Sequence, residues 1–184
     1  MLGDPVNDDV VSAAQAGDPT AFTAIYRELA PAVNGYLRAK GVQDPEAVTN
    51  DVFLAVLPRL AELTGGAGGL RTFMFSVAHA RVVDDARRRQ RQPIITEYDA
   101  AEDRRWVGSA ETVALDSLGT ERIMGLLDGL SDEQRDVLTL RVVAELTIDE
   151  VAVIIGRSAG AVKQLQRRAL IVLRRQLAEH DVTL

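Results

Sequence analysis

The chain has 184 residues, with 27 acidic and 21 basic side chains, a formal net charge of −6 and no cysteine. The lack of thiols excludes disulfides, thiolate catalysis and cysteine-ligated metal sites. Hydrophobic residues make up 47% of the chain, enough to support a buried core. No apolar run reaches the roughly 20 residues that span a bilayer, and the acidic N-terminus lacks a signal-peptide pattern. We therefore expect a cytoplasmic protein without membrane insertion.

The charge is distributed unevenly along the chain. Residues 1–92 carry 10 basic and 11 acidic side chains, and residues 120–184 carry 9 and 10. Residues 93–119 carry only 2 basic side chains against 6 acidic ones, and no hydrophobic period survives there. We therefore predict two domains, residues 1–92 and 120–184, joined by an acidic flexible linker at residues 93–119.

The first predicted helix carries apolar side chains at i, i+3 and i+4 spacing over residues 22–37. Asp18 followed by Pro19 supplies a start signal, because an aspartate caps free backbone N–H groups and proline fits the first turn. Pro31 lies inside the stripe, where proline removes a backbone donor, so we expect a kink or a break there.

Two further helices are predicted in the first half of the chain. Asp44 and Pro45 repeat the start signal for a helix that runs to Leu60. The segment "LTGGAGGL" has four glycines in five residues and predicts a loop. A third helix begins at Leu70 and ends before Pro93.

The sequence pattern predicts helices in the second half of the chain as well. A first helix carries Ile123, Met124, Leu127 and Leu130. Ser131–Gln134 and Thr147–Glu150 have the spacing of capping boxes, in which two side chains satisfy two free N–H groups reciprocally. Gly156 can end one helix and Ser158 can start the last. We predict a helix-turn-helix and, since no strand signal occurs, an all-α fold of two small helical domains.

The last helix interleaves basic and polar side chains with its apolar positions. Side chains near the start of such a helix can contact base edges in the major groove, while later arginines can contact phosphates. A solvated basic face is the alternative, but the preceding cap, glycine turn and second cap favour DNA binding. The residues concerned are Lys163, Gln164, Arg167, Arg168, Arg174 and Arg175.

A second basic cluster ends the third predicted helix. Four arginines lie within five positions, more than the favourable effect of the helix dipole on terminal cations requires. Phe73 and Phe75 lie upstream, next to the glycine segment, and aromatic side chains can stack on unpaired bases. The pattern favours nucleic-acid binding over a solvated helix end and includes Arg81, Arg87, Arg88, Arg89 and Arg91.

Segments in both halves of the chain resemble a known protein family. The segments "DPEAVTNDVFLAVLPRL" and "LRTFMFSVAHARVVDDARRRQR" look like the second conserved region of a sigma-70-type RNA polymerase sigma factor. The segment "LSDEQRDVLTLRVVAELTIDEVAVIIGRSAGAVKQLQRRALIVLRR" resembles the fourth region of that family. Two such regions with a short connector are similar to the extracytoplasmic-function (ECF) group. The resemblance covers about residues 15–92 and 118–177.

The resemblance implies a role for each region. The first domain would bind the clamp helices of the β′ subunit of RNA polymerase core through Asp44, Glu46, Thr49, Asn50, Asp51, Phe53 and Leu54. It would also recognise and open the −10 promoter element, using Arg71, Phe73, His79, Arg81, Arg87, Arg88, Arg89 and Arg91. The segment from Thr64 to Leu70, with Arg71, matches the part of the family that captures an unpaired base. The helix-turn-helix would read the −35 element through Ser158, Lys163, Gln164, Arg167, Arg168, Arg174 and Arg175.

Several positions depart from the family pattern. Ala47 replaces an acidic residue, and Asn50 and Asp51 replace longer side chains in the polymerase-binding segment. Phe73 replaces a tryptophan, and Leu165 replaces an arginine that is frequent on the recognition helix. The resemblance also implies an anti-sigma factor as a further partner, without identifying it.

Other classes of function are weaker fits to the sequence. A stand-alone helix-turn-helix regulator that never binds polymerase would explain residues 120–184 but not the arginine-rich helix beside the glycine segment. A helical adaptor would not require the basic faces. No nucleophile–base pair or phosphate-cradling motif occurs, and the two histidines, His79 and His180, are far apart in sequence. We therefore expect no enzyme activity, no metal and no cofactor.

Overall fold

The regular secondary structure of the described residues is helical throughout. The structure, a computed structural model, describes residues 6–91, 125–127 and 129–181. Its helices are α1 (Asp8–Gln15), α2 (Pro19–Ala39), α3 (Pro45–Val56), a 3₁₀ segment (Leu57–Glu62), α4 (Gly66–Arg91), α5 (Asp132–Val142), α6 (Ile148–Ile155) and α7 (Ala159–Asp181). The all-α prediction is confirmed. The predicted linker, Ile123 and Met124 lie outside the described residues.

The predicted start signals cap α2 and α3. The Asp18 carboxylate accepts a hydrogen bond from the Thr20 backbone N–H at 2.8 Å, and the Asp44 carboxylate accepts one from Ala47 at 2.9 Å. Each cap is followed by a proline at the start of the helix, where the missing N–H costs no internal hydrogen bond. Helix α1 was not predicted from the sequence; it is capped by Asn7.

Two boundaries differ from the predictions. The predicted feature at Pro31 was a kink or a break; helix α2 runs without interruption from Pro19 to Ala39 and contains Pro31, so a break does not occur. Pro31 is exposed, and the carbonyl that loses its helical partner is the one four residues earlier, at Arg27. Helix α3 ends at Val56, and a 3₁₀ segment rather than further α-helix reaches Leu60.

Most of the glycine-rich segment is helical, which corrects the loop prediction, since only Leu63, Thr64 and Gly65 precede the helix. Helix α4 already begins at Gly66, and its free N-terminus is capped from a distance, since Asp8 accepts from the Ala67 backbone N–H at 2.8 Å. A Cβ atom at Gly66 would collide with the Asp8 carboxylate, and one at Gly69 would collide with the Thr64 carbonyl. The glycines therefore permit close approach at the start of α4.

The first domain is built around α2. Ile25, Leu29 and Val33 of this helix are at most 1% exposed and pack in one cluster with Val52 of α3 and Met74 of α4. Fully burying side chains of this size contributes about 1.5–3 kcal/mol each. The apolar stripe that predicted α2 is therefore the centre of the core.

The core continues into the C-terminal helices. Val137 and Leu140 of α5 and Val151 of α6 are buried in the same cluster as the α2 residues. A second cluster joins Ala39, at the end of α2, to C-terminal residues that include Leu138. The two predicted domains are thus packed against each other. Among the described residues, no helix has the length and hydropathy needed to cross a membrane.

Candidate nucleic-acid and protein interfaces

Helices α6 and α7 form the predicted helix-turn-helix. The Thr147 and Glu150 capping box starts α6, and Gly156 ends it with a left-handed backbone (φ 65°) that favours glycine. Ser158 caps α7 by accepting from the Ala161 N–H at 3.2 Å. These local contacts fix the angle at which α7 leaves the turn.

The predicted −35 residues share the outer surface of α7. Val162 and Ala169 are fully buried and attach the helix to its domain. All seven predicted contact residues are exposed: Ser158, Lys163, Gln164, Arg167, Arg168, Arg174 and Arg175. Arg157, in the turn, is also exposed, and its guanidinium pairs with Glu133 of α5, with an Nε–Oε1 distance of 3.1 Å. The outer face of α7 is therefore an exposed basic surface.

The predicted −10 residues on α4 divide into two groups. In the first half of the helix, Arg71, Phe73 and His79 are half-buried. Arg71 pairs with Glu28 at 2.9 Å and donates to the Ala144 carbonyl at 3.4 Å. These side chains thus contact other parts of the chain.

The second half of α4 carries the exposed arginines. Arg81, Arg87, Arg88 and Arg89 are exposed, and the side chain of Arg91 lies outside the described residues. Acidic residues one turn earlier balance part of this charge, since Arg87 lies 3.8 Å from Asp84 and Arg89 lies 3.0 Å from Asp85. These i,i+3 and i,i+4 pairs follow from the spacing of the segment "DDARRRQR".

The predicted polymerase-binding residues lie on both faces of α3. Asp44, Glu46, Asn50, Asp51 and Leu54 are exposed, and Leu54 is a large hydrophobic side chain with 69% of its surface accessible.

Thr49 and Phe53 belong to the inner face instead. Phe53 is 3% exposed and packs on Tyr26 with 4.7 Å between ring centroids, and Thr49 donates to the Pro45 carbonyl. These two residues therefore position the helix, while the five exposed residues form a surface with an apolar centre and a polar rim.

A buried polar cluster at the contact between the domains was missed in the sequence. The Lys40 ammonium lies 2.9 Å from the Asp136 carboxylate, and their side chains are 8% and 12% exposed. The Tyr36 hydroxyl lies 2.8 Å from His79 Nδ1 and 3.3 Å from Asp136. No local signal could reveal this cluster, since Asp136 is about 100 positions from Tyr36 and Lys40.

Burial shifts the protonation of two members of this cluster. Burial raises the pKa of Tyr36 well above its ordinary value, and the Asp136 charge and hydrogen bond raise it further. Burial also lowers the pKa of His79; Asp136 opposes this effect and Lys40 reinforces it. At neutral pH the Tyr36 and His79 rings are therefore neutral, and they lie beside the Lys40–Asp136 salt bridge.

Comparison with known proteins identifies the family. Residues 126–175 match the family described as sigma-70, region 4. The chain is 31% identical over 171 residues to the ECF RNA polymerase sigma factor SigD of Mycobacterium tuberculosis, covering 89% of this chain and 80% of SigD. It is 30% identical to ECF RNA polymerase sigma factor ShbA of Streptomyces griseus, covering 90% of this chain and 92% of ShbA. It is also 27% identical to ECF RNA polymerase sigma factor BldN of Streptomyces coelicolor, covering 93% of this chain but only 66% of BldN.

The fold has a solved counterpart as well. CnrH, whose structure was determined in complex with the cytosolic domain of CnrY, superposes with a TM-score of 0.66 at 20% identity. The alignment covers 94% of this chain and 97% of CnrH. The relatives match along both halves of the chain, which favours a sigma factor over a stand-alone helix-turn-helix regulator. The chain belongs to the ECF RNA polymerase sigma factors and is an alternative sigma factor that directs transcription.

Proposed function

We propose that the chain binds RNA polymerase core through α3 and recognises a promoter through two helices, α4 at the −10 element and α7 at the −35 element. The observation that carries the proposal furthest is the outer face of α7. The seven side chains predicted from the sequence are all exposed, six of them on α7 and Ser158 at its N-cap, and a glycine turn and two caps orient the helix. A basic helix in this motif fits the major groove and gains affinity by releasing counterions from DNA.

Within α7 we assign two roles. Lys163, Gln164 and Arg167 lie in the first turns of the helix, where recognition helices approach base edges, so they read sequence. Arg174 and Arg175 lie about two turns later and neutralise phosphates. This division makes the first group specific for base pairs and the second group indifferent to sequence.

The exposed end of α4 has a related role at the −10 element. Its arginines would neutralise phosphates while the two strands separate, and the mutual repulsion of the arginines falls when the polyanion binds. Arg71, Phe73 and His79, in the first half of the helix, would contact the unpaired strand by ionic and stacking interactions.

Helix α3 supplies the protein interface in this proposal. Leu54 is exposed, and Asn50 and Asp51 lie at its edge. Acidic side chains would repel DNA but suit a basic rim on a protein partner. We assign this surface to the β′ clamp helices of polymerase core.

The remaining parts of the proposal concern organisation and control. Residues 1–92 and 120–184 act as the two promoter-binding domains, and residues 93–119 connect them. The protein acts by binding rather than by catalysis, in the cytoplasm, where polymerase works. Since the chain is an ECF sigma factor, we also propose that an anti-sigma factor holds it inactive by covering surfaces that meet polymerase or DNA. A pull-down from native cells should recover this inhibitor in stoichiometric amounts; recovery of polymerase alone would contradict it.

The test is transcription by a reconstituted enzyme. Polymerase core is combined with the protein and a library of genomic fragments, and the transcripts are sequenced. We expect start sites that share two sequence elements at a fixed spacing. Core alone and core with Lys163→Ala protein serve as controls, and transcripts independent of the added chain would contradict the proposal.

A further inference from the structure

A small cleft on the outer surface of the C-terminal domain lies beside the basic face of α7. It has a volume of about 330 Å³ and lies between the first turn of α5, the turn before α7, and α7 itself. The four lining residues that α7 contributes are spaced i, i+3, i+4 and i+7, so they share one stripe of the helix. The lining residues are Glu133, Arg157, Ala161, Gln164, Leu165 and Arg168.

The cleft follows the border between the basic face of α7 and its buried stripe. Gln164 and Arg168 line the cleft and also belong to the exposed face that we assign to the −35 element. On the other side, Val162 is fully buried and Leu165 packs against the core. Successive residues of an α-helix are about 100° apart, so Leu165 is one step around the helix from Gln164. A base pair that Gln164 contacts therefore has the cleft beside it.

The bottom of the cleft is apolar. Ala161 and Leu165 are half-buried, whereas the four polar lining residues are exposed, so the polar groups surround an apolar floor. On the side of α5, the Glu133 carboxylate accepts from Arg157 Nε at 3.1 Å. This ion pair neutralises the acidic charge of that wall, so the cleft does not repel DNA.

The chemistry of the floor selects one base. Thymine is the base that presents a methyl group in the major groove, whereas the other bases present only hydrogen-bond donors and acceptors there. An apolar floor gains free energy by burying the methyl group, but it leaves a polar base edge without a partner. The exposed cations of the same helix face, Lys163, Arg167 and Arg168, complement the phosphates of the same duplex.

We propose that the cleft is a specificity subsite in which Ala161 and Leu165 contact the 5-methyl group of one thymine in the −35 element. The inference rests on the proposed function, because it assumes that α7 lies in the major groove. Neither residue belongs to the set predicted to contact the −35 element. Glu133 is a positioning residue, which acts by holding Arg157 as the wall of the cleft on the side of α5.

Replacing thymine by uracil tests the subsite without changing the protein, because uracil lacks only the methyl group. The probe is the −35 duplex of a promoter found by transcription from the genomic library, and the full chain is titrated with it while bound to polymerase core. Each thymine of the element is replaced in turn. We expect one position to lose about three- to fivefold in affinity, as the burial of one methyl group implies, and the others to change less than about twofold.

Variants of Leu165 connect this effect to the cleft. Leu165→Ala should weaken binding of the thymine duplex and remove the difference between thymine and uracil, which a double-mutant cycle measures. Leu165→Met keeps an apolar side chain and should retain most of the difference. Leu177→Ala removes a leucine that is 44% exposed farther along α7 and should leave the difference unchanged. Each variant is compared on both duplexes, so a general loss of stability cancels.

Two results would overturn the inference. One is a −35 element in which no thymine is weakened by replacement with uracil; the other is a uracil effect that persists in full in Leu165→Ala. If uracil has no effect but Arg157→Ala and Arg168→Ala weaken binding evenly on all sequences, a phosphate occupies the cleft, and the inference is also wrong. If the wild-type protein binds random and promoter duplex equally, the proposed function fails instead.

Discussion

Helices α4 and α7 are both long, both carry clustered arginines, and both are assigned to DNA, yet their surroundings differ. The outer face of α7 is exposed from Ser158 to Arg175, because the inner stripe, which includes Val162 and Ala169, is the side that packs against other helices. Helix α4 packs against α6 as well as against α1, α2 and α3, and its predicted contact residues are half-buried up to His79 and exposed from Arg81 to Arg89. The proposed −35 residues are thus all exposed, whereas three of the proposed −10 residues, Arg71, Phe73 and His79, contact other parts of the chain.

The largest expected effect comes from leaving the interdomain carboxylate without its cation. Lys40→Met removes the partner of Asp136, and an unpaired buried charge costs about 3–5 kcal/mol. The chain can avoid this cost by separating its domains, since Asp136 is then hydrated. We expect an expanded but still helical protein, measured by small-angle scattering and circular dichroism.

The matched control for this change is Arg38→Met. Arg38 is on the same helix and pairs with Glu46 at 3.7 Å, but both side chains are more than half exposed. Exposed pairs contribute roughly 0–1 kcal/mol. Similar scattering curves for the two variants would contradict a role of the Lys40–Asp136 pair in holding the two domains together.

The next effect is on sequence reading by α7. Lys163→Ala, Gln164→Ala or Arg167→Ala should weaken binding to −35 duplex by about 1–3 kcal/mol and relax preference at one base pair. Arg174→Ala and Arg175→Ala should weaken binding evenly across sequences and reduce its salt dependence. Competition titrations with cognate and random duplex measure both. If all five variants lost the same affinity for cognate and for random duplex, the claim that Lys163, Gln164 and Arg167 read bases would be contradicted.

A comparable effect is expected at the open face of α3. Asp51→Arg reverses an exposed charge beside Leu54 and should lower affinity for polymerase core by roughly 1–3 kcal/mol if the facing rim is basic. Glu62→Arg reverses another exposed charge of the first domain and serves as the control. Fluorescence titration with core is the measurement. Unchanged affinity of a folded Asp51→Arg protein for core would contradict the assignment of this surface to polymerase.

The smallest effect is a dependence of domain closure on pH. Burial lowers the pKa of His79 below its ordinary value of 6.5, so opening takes up a proton when the pH is low. The His79 contribution to closure is therefore complete above about pH 6.5 and declines as pH falls towards the lowered pKa. The charged or titratable groups that face His79 are Tyr36, Lys40 and Asp136.

We expect the radius of gyration to rise between pH 7.5 and pH 5.5, and His79→Gln should flatten this change. The readout is scattering by the free chain, because His79 is itself assigned to DNA. A wild-type radius that is constant over this range would contradict the assignment of His79 to the contact.

The two helices also differ in how much of their structure could be predicted from the sequence. The caps at Ser131, Thr147 and Ser158 and the turn at Gly156 depend on neighbours within a few positions, so the helix-turn-helix was predictable in detail. The start of α4 was not, because its cap, Asp8, comes from 59 positions earlier and turns a glycine-rich loop pattern into helix. The exposure of α7 follows from its own periodicity.

The contacts between α4 and the C-terminal helices join residues that are even farther apart in the sequence. Lys40 and Asp136 look like ordinary surface charges in the sequence, and they become a buried pair only when the domains dock. Likewise, Phe53 matched a binding motif by position, but its ring is buried against Tyr26. A motif gives residue types, whereas the packed structure decides which of them can meet a partner.

The most direct test of the difference between α4 and α7 compares the free chain with the same chain bound to polymerase core. Binding of −35 duplex and of −10 single strand is measured for both, using a promoter obtained by transcription from the genomic library. The account predicts that the free chain binds the duplex but binds the strand at least tenfold more weakly than the core-bound chain does. Equal affinity of the free and core-bound chain for the −10 strand would contradict it.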